Sequence, residues 1–449
     1  MKETLLNKAQ RMKRVLQGAF WIAVYLLLIG APLFMLLIGP TPAGRSFWRE
    51  FSVAIGFAGL AIMGFQFLIT ARFRHIELPY GMDIVYHFHR QISWVAVALV
   101  LGHLVILLVE NPRMIRLLNF FDAPWRARYG LLSIVALLLL VVTSIWRKQL
   151  KLQYETWRVG HGILGTLAVA FGMAHVVLVG HYVELPWKRA LWLGLTIFWI
   201  GLLLYVRIVK PMMMLRRPYR VTDVRPERGG AHTLTLEPEG HPGFRFKPGQ
   251  FGWLTLWNGP FAIMEHPFSF SSSAAHPGRV EFTIKEFGDF TGTIKNAKPG
   301  QRAYLDGPYG AFSFERHQAA GFVFIAGGVG VTPIFSMLRT LAERHDRRPL
   351  LFLYGSKSWD EVIFREEIDE LKKRLDLTLV HVLTHPPEGW QGETGFISAA
   401  LLERYIPQDR NSREYFICGA DPMMDAVEAA LSKLGVSLDH IHSERYNFV

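Results

Sequence analysis

Six long apolar runs fill the first half of the chain, at 16–38, 51–70, 84–109, 130–146, 159–179 and 187–209. Each approaches the roughly 17–25 residues that carry a helix across a bilayer. The first is too long for the core of a signal peptide, and no small-residue cleavage site follows it, so it reads as a span. After Pro218 the texture changes. Short alternating runs at 220–224, 233–236, 252–256 and 280–284 are separated by Arg228-Gly229-Gly230, Lys247-Pro248-Gly249 and Lys298-Pro299-Gly300, the pattern of a small antiparallel barrel. From Gly321 onward, apolar strands (322–326, 350–354, 378–383, 415–418) alternate with helical stretches (from Pro333, 360–374, 423–434). That alternation predicts a parallel sheet with crossover helices. The expected organisation is multidomain: a basic segment 1–14, a six-helix transmembrane bundle 15–210, an antiparallel β-barrel 218–316 and an α/β domain 318–449.

Charge sharpens the division. Residues 1–217 hold 24 Lys and Arg against 8 Asp and Glu, whereas the remainder holds 25 against 29. The net charge of +12 therefore comes from the apolar half, where basic flanks mark topology rather than nucleic-acid binding. Lys2, Lys8, Arg11, Lys13 and Arg14, then Arg72 and Arg74, then Arg147, Lys148, Lys151 and Arg158, and finally Lys210, Arg216 and Arg217 fall on one side of a six-span chain. The positive-inside rule makes that side cytoplasmic, with both termini there and the protein in the cell membrane. The third loop breaks the rule with Arg113, Arg116, Arg126 and Arg128. The one cysteine, Cys418, excludes an internal disulfide, a Cys-ligated zinc and a Cys-held iron–sulfur cluster, and no C-x-x-C-H is present for covalent haem attachment.

Ionisable side chains inside spans are costly and usually functional. The third run carries His89 and His103, the fifth His161 and His175, and each pair is 14 residues apart. Fourteen steps of a helix fall about 40° short of four turns and rise roughly 21 Å. Each pair therefore points to one face at two depths. The two spans run in the same direction, so His89 lies level with His161 and His103 with His175. Facing pairs at two heights are what two stacked bis-histidine haems require. Buried histidines bonded to neighbouring helices, or a proton path, are the alternatives; the repeated spacing favours haem. His87 and His181 fail the angular test and read as interfacial. Arg90 and Arg158 lie near the inner pair, as haem-propionate partners or as ordinary positive-inside residues.

In the second half, the buried strand 322–326 runs into Gly327-Gly328-Val329-Gly330-Val331-Thr332-Pro333. Glycines let the backbone approach a pyrophosphate; Thr332 is placed to cap the following helix, and Pro333 suits its first position. The order His266-Pro267-Phe268-Ser269, Gly307-Pro308-Tyr309-Gly310, this glycine loop, Cys418-Gly419 and Glu444-x-Tyr446 resembles the ferredoxin–NADP reductase fold. Joined to six spans with paired histidines, nearly the whole chain resembles the NADPH oxidase and ferric reductase family.

The resemblance implies FAD, two b-type haems and NADPH (or NADH) as cofactors. Phe268 and Ser269 would line the flavin, with Ser269 near its reactive nitrogen; His266, beside Pro267, would help hold FAD. Lys285 and the 288–291 turn, with Gly288 and Thr291, would sit near the FAD pyrophosphate. Gly327, Gly328, Gly330 and Thr332 would cradle the nicotinamide nucleotide, with Cys418 and Gly419 beside the nicotinamide. Tyr446 would stack on the flavin, and Phe448 rivals it. Ser269, Cys418 and Tyr446 are then the candidate catalytic residues. After the second α/β strand, Tyr354-Gly355-Ser356-Lys357 offers a hydroxyl and a cation, favouring a 2′-phosphate. The expected activity is electron transfer from NADPH through FAD and two haems to dioxygen, giving superoxide. A ferric-chelate reductase, with the basic third loop drawing anionic chelates or else only binding haem propionates, and an electron-delivery subunit are the alternatives. The expected partners are the lipid membrane and a small-molecule acceptor, with no nucleic acid and no required protein partner.

Overall fold

Helices make up most of the described apolar half: α1 (Lys2–Leu37), α2 (Phe47–Thr70), α3 (Met82–Glu110), α4 (Trp125–Ile145), α5 (Tyr154–Val179) and α6 (Pro186–Leu204), with α7 (Lys210–Leu215) following a π-helical stretch Tyr205–Val209. The computed structural model describes residues 2–39, 43–73 and 81–445. Two compact units divide the chain, one ending at Lys210 and the other running from Pro211. All six expected spans lie on helices long and apolar enough to cross a membrane. Helix α1 starts at Lys2, so the basic segment and the first span share one helix.

Local chemistry sets the helix ends. The Ser46 side chain accepts from the Arg49 amide to start α2, and Gly180, at φ +73°, ends α5 in the left-handed conformation. Leu27, Phe34, Val109 and Ile197 are at least 68% exposed, side chains that a bilayer accepts and water does not. Inside, Leu60, Ala61, Phe65, Ala168, Met173, Trp192 and Trp199 pack together. Helices approach where glycines leave room: a Cβ on Gly64 would lie 2.2 Å from the Trp199 ring, and one on Gly172 would lie 2.8 Å from Leu60. Close contact through small residues is the usual basis of helix association in lipid, where apolar burial supplies no drive. Ser133 adds a buried hydrogen bond from α4 to the Ala168 carbonyl of α5 at 2.7 Å.

The second unit opens with β1 (Tyr219–Glu227), β2 (Ala231–Pro238), β3 (Phe251–Leu256), β4 (His266–Ser269), β5 (Val280–Lys285) and β6 (Arg302–Tyr309). They form one antiparallel sheet in the order β4-β3-β6-β1-β2-β5. A bridge from Phe270 to Phe282 brings the end of β4 onto β5, so the sheet curls around Phe244, Phe246, Phe270 and Phe282. The expected barrel is thus a curled sheet closed by a single bridge.

The α/β part follows: β7 (Gly321–Gly327), α8 (Val331–Glu343), β8 (Leu350–Ser356), α9 (Arg365–Lys372), β9 (Leu377–Leu383), β10 (Glu393–Thr394), α10 (Ala399–Tyr405), β11 (Arg413–Cys418), α11 (Asp421–Lys433) and β12 (Ile441–Ser443). The sheet is parallel, in the order β10-β9-β8-β7-β11-β12. From β7 the chain builds outward to β10 and then returns to place β11 on the other side of β7. That reversal makes the carboxyl ends of β7 and β11 the crevice where open α/β sheets bind ligands.

Arg339 on α8 ties the two layers of this unit together. It reaches Glu281 on β5 at 2.6 Å, the Ser271 carbonyl at 3.0 Å and Glu367 on α9 at 2.5 Å. Burial opposes the ionisation of Glu281, but Arg339 and Arg279 outweigh it and hold the carboxyl below its ordinary range.

Candidate functional site

The four span histidines meet as two pairs. The ring centroids of His89 and His161 are 6.3 Å apart, and those of His103 and His175 are 6.5 Å apart. Each ring is anchored through Nδ1: His89 to Gln66 Oε1 (2.6 Å), His103 to the Ser52 carbonyl (2.9 Å), His161 to Ser144 Oγ (3.2 Å) and His175 to the Arg126 carbonyl (2.7 Å). Ser144 donates its own hydroxyl proton to the Leu140 carbonyl, so it accepts from His161. Holding the proton on Nδ1 leaves the Nε2 lone pair for a metal, the usual arrangement behind a histidine ligand. One iron between two Nε2 atoms at about 2.0 Å each would put the ring centroids about 6.3 Å apart. The donor set and spacing of both pairs therefore fit bis-histidine haem.

Glycines make room for the rings. A Cβ on Gly56 would lie 3.0 Å from His103, and one on Gly130 would lie 2.9 Å from His175. Sequence reasoning missed these glycines and all four Nδ1 partners. Gln66, a polar residue inside a span, was the one visible signal. His87 accepts from Arg90 on its own helix at 3.3 Å, which agrees with an interfacial role. Arg128, one of the four arginines of the third basic stretch, sits in the first turn of α4, donates to the Ala123 and Phe121 carbonyls and lies over Trp125 at 4.7 Å.

In the sheet domain, His266, Pro267, Phe268 and Ser269 form β4, with Ser269 buried opposite Phe251. His266 stacks on Phe290 at 3.8 Å and 20°, and Phe268 lies nearly parallel to the same ring at 6.1 Å. Phe290 thus joins the candidate flavin residues, unpredicted because a lone phenylalanine in a turn reads as packing. Thr291 Oγ1 accepts from the amides of Phe287 and Gly288, so this turn satisfies two of its own donors. Lys285 pairs with Glu361 at 3.2 Å, across to the α/β layer.

At the crevice, a Cβ on Gly330 would lie 2.3 Å from the Cys418 carbonyl, and one on Gly327 would lie 2.6 Å from Met423 Sδ. Gly419 is similarly crowded by Met423 at 2.7 Å. The β7–α8 and β11–α11 turns therefore touch through bare backbone. Gly328, at φ +54°, has open space beside it. Tyr354 is buried, its hydroxyl donating to the Gly328 carbonyl at 3.2 Å. Thr332 does not cap the helix: α8 begins at Val331, and the Thr332 hydroxyl donates back to the Val329 carbonyl at 3.0 Å. Pro333 is accordingly the third helical residue, because Val331 already has helical dihedrals. Burial, with Glu444 nearby, pushes the Cys418 thiol up, so it stays protonated at neutral pH. Lys357 is exposed just past β8. Tyr446 and Phe448 lie outside the described residues.

Two family models match the chain. Residues 55–172 match the ferric reductase like transmembrane component, and residues 324–429 match the oxidoreductase NAD-binding domain. The chain has the fusion architecture of NADPH oxidases and ferric reductases. It is an oxidoreductase whose membrane unit is joined to a dehydrogenase unit of the ferredoxin–NADP reductase type, with FAD and pyridine nucleotide as its cofactors. The dehydrogenase half is 32% identical over 236 residues to the reductase component of propane 2-monooxygenase from Rhodococcus jostii, covering 51% of this chain and 62% of that one. It is 31% identical over 212 residues to the glycine betaine monooxygenase reductase subunit of Chromohalobacter salexigens, covering 45% and 56%. The chain thus spans less than two thirds of these relatives' length. Among solved structures, the ferredoxin reductase of carbazole 1,9a-dioxygenase is similar at 27% identity over 51% of the chain and 69% of that one, with a TM-score of 0.45.

Proposed function

We propose that this protein carries electrons from NADPH, through FAD and two b-type haems, across the cell membrane to dioxygen on the outer face, producing superoxide. The observation that carries this reading is the pair of histidine sites with imidazoles 6.3 Å and 6.5 Å apart, each anchored through Nδ1. When bound, FAD accepts a two-electron hydride and each haem passes one electron, which is why both are needed. His89 and His161 form the cytoplasmic site, level with the basic flanks, and His103 and His175 the outer one.

The dehydrogenase residues then have assignable tasks. Phe268, Ser269 and the stacked His266–Phe290 pair would position the flavin, and Lys285 would serve its pyrophosphate. Gly327, Gly328 and Gly330 bring backbone amides and the start of α8 to the nucleotide phosphates. Cys418, held as a neutral thiol, and Gly419 wall the nicotinamide without exchanging protons. Lys357 would meet the 2′-phosphate, and Tyr446, with Phe448 as its rival, would shield the flavin. Dioxygen is favoured over a ferric chelate because a small diffusible acceptor needs no dedicated pocket. The reductase-component names of the relatives favour a second reading, delivery of electrons to a partner protein.

An optical spectrum of FAD-supplied, detergent-purified protein tests both. Haem bands that reduce with NADPH anaerobically and are reoxidised by air, with dye reduction sensitive to superoxide dismutase, are expected. Reoxidation only by a ferric chelate would replace dioxygen as acceptor, and reoxidation only by an added partner fraction would favour the second reading. A preparation that binds no haem would end the proposal.

A further inference from the structure

A cluster of histidines around one carboxylate lies at the amino end of the parallel sheet, opposite the nucleotide crevice. Glu414 is the second residue of β11, while the crevice begins at Cys418, its last, roughly 13 Å further along the strand. His442 on β12 places Nε2 at 2.5 Å from Glu414 Oε2, and His317, in the segment before β7, places Nδ1 at 3.8 Å from the same oxygen. The three ligand atoms lie within 4.8 Å of one another. His440 holds the other carboxylate oxygen through Nδ1 at 3.0 Å. The imidazoles of His317 and His442 are 3.9 Å apart and tilted by 31°. All three side chains are largely buried, with 10%, 6% and 13% of His317, Glu414 and His442 exposed.

We propose that His317 Nδ1, Glu414 Oε2 and His442 Nε2 bind one divalent transition-metal ion of the zinc class. Tetrahedral ligands about 2.0 Å from a metal stand about 3.3 Å from one another. The edges at Glu414 Oε2 are 2.5 Å and 3.8 Å and all three atoms lie within 4.8 Å of one another, so closing the site requires the two stacked imidazoles to rotate apart about that oxygen. Two imidazoles and one carboxylate suit zinc, cobalt or nickel and not magnesium or calcium, which take oxygen ligands. His440, bonded to the outer oxygen, orients the carboxylate from behind, as partners of ligating carboxylates do. On binding, the ion replaces the proton between His442 and Glu414, which passes to solvent.

The ion would act as a staple. β12 is a three-residue strand at the sheet edge, and the metal ties it to β11 and to the segment entering β7. Two residues past His442, Glu444 is buried near the Cys418 thiol, with one carboxylate oxygen 2.9 Å from where a Gly310 Cβ would be. Fixing β12 therefore fixes the strand that delivers Glu444 to the crevice.

The test uses full-length protein loaded with FAD and haem, so that the span histidines are occupied, then stripped with a chelator and titrated with Zn2+ and Co2+. One equivalent per chain is expected, with cobalt giving tetrahedral visible bands. Affinity should fall at least about 100-fold in His442→Ala and in His317→Ala, and about 10–100-fold in His440→Ala. His317→Ala leaves the Glu414–His442 and Glu414–His440 bonds in place, and NAD(P)H-dependent flavin reduction reports that it has folded. Absence of uptake above background, unchanged affinity in folded His317→Ala, or an anomalous zinc peak away from these residues would each overturn the proposal.

Discussion

The two units offer opposite means of holding a redox group. In the membrane unit, helices direct four imidazoles inward, because a helical backbone has already spent its own donors and acceptors and only side chains remain to ligate. In the dehydrogenase unit, the nucleotide crevice is made of bare backbone: Gly327, Gly330 and Gly419 matter for the atoms they lack. A site of the first kind is broken by removing atoms and one of the second kind by adding them. The largest expected effect is on the first. His103→Ala should remove one of two haems, halve the haem absorbance and reduce acceptor turnover to background, while NADPH still reduces the flavin at its normal rate. Loss of flavin reduction in that variant would mean that the two units do not act in the proposed order.

The converse change is Gly330→Ala, one added carbon. Its Cβ would meet the Cys418 carbonyl at 2.3 Å, so the β7–α8 and β11–α11 turns must separate. A displacement near 1 Å in a positioning element can cost about 100-fold in rate. NADPH-dependent flavin reduction is therefore expected to fall by about that factor, with haem content unchanged. Normal flavin reduction in Gly330→Ala would show that contact between the turns is not what shapes the crevice.

The same contrast explains what could be read in advance. Helix geometry is linear in residue number, so two spacings of 14 were enough to pair His89 with His161 and His103 with His175. Their anchors were hidden because two are carbonyls, of Ser52 and Arg126, which any residue possesses. In the dehydrogenase unit the glycine loop was legible because glycine is a visible residue. The edge strands β10 and β12 were not, having two and three residues and no alternation to detect. The Thr332 cap was misplaced by a helix that starts two residues earlier than the threonine suggests. Arg128 illustrates the limit of charge counting, since a formal charge does not reveal that its donors are bonded to Ala123 and Phe121.

A smaller effect is expected where a side chain assists the backbone crevice. Lys357, exposed past β8, should favour a 2′-phosphate by charge. Lys357→Glu is expected to shift the ratio of kcat/KM for NADPH over NADH by about tenfold toward NADH, equivalent to about 1.4 kcal/mol. An unchanged ratio would remove Lys357 from nucleotide recognition and leave the glycine cradle untouched.

The smallest effect concerns how each unit is held together. Membrane helices meet at Gly64 and Gly172, contacts that do not titrate, whereas the layers of the dehydrogenase unit meet partly through Arg339 and Glu281. Glu281 has a folded-state pKa below its unfolded one, so its contribution is complete above the ordinary carboxylate range and fades as pH falls through the folded value. Glu281→Gln should cost about 1.5–3 kcal/mol near neutral pH, the scale of a hydrogen bond to a charged partner. Thermal unfolding of the dehydrogenase unit, followed by loss of flavin-dependent activity, should show wild type and variant converging only as pH falls below the ordinary carboxylate range and through the depressed folded-state pKa of Glu281. A gap that stays constant from neutral to acidic pH would mean that shape, not charge, carries the Arg339 contact, and the two units would then be built on the same principle.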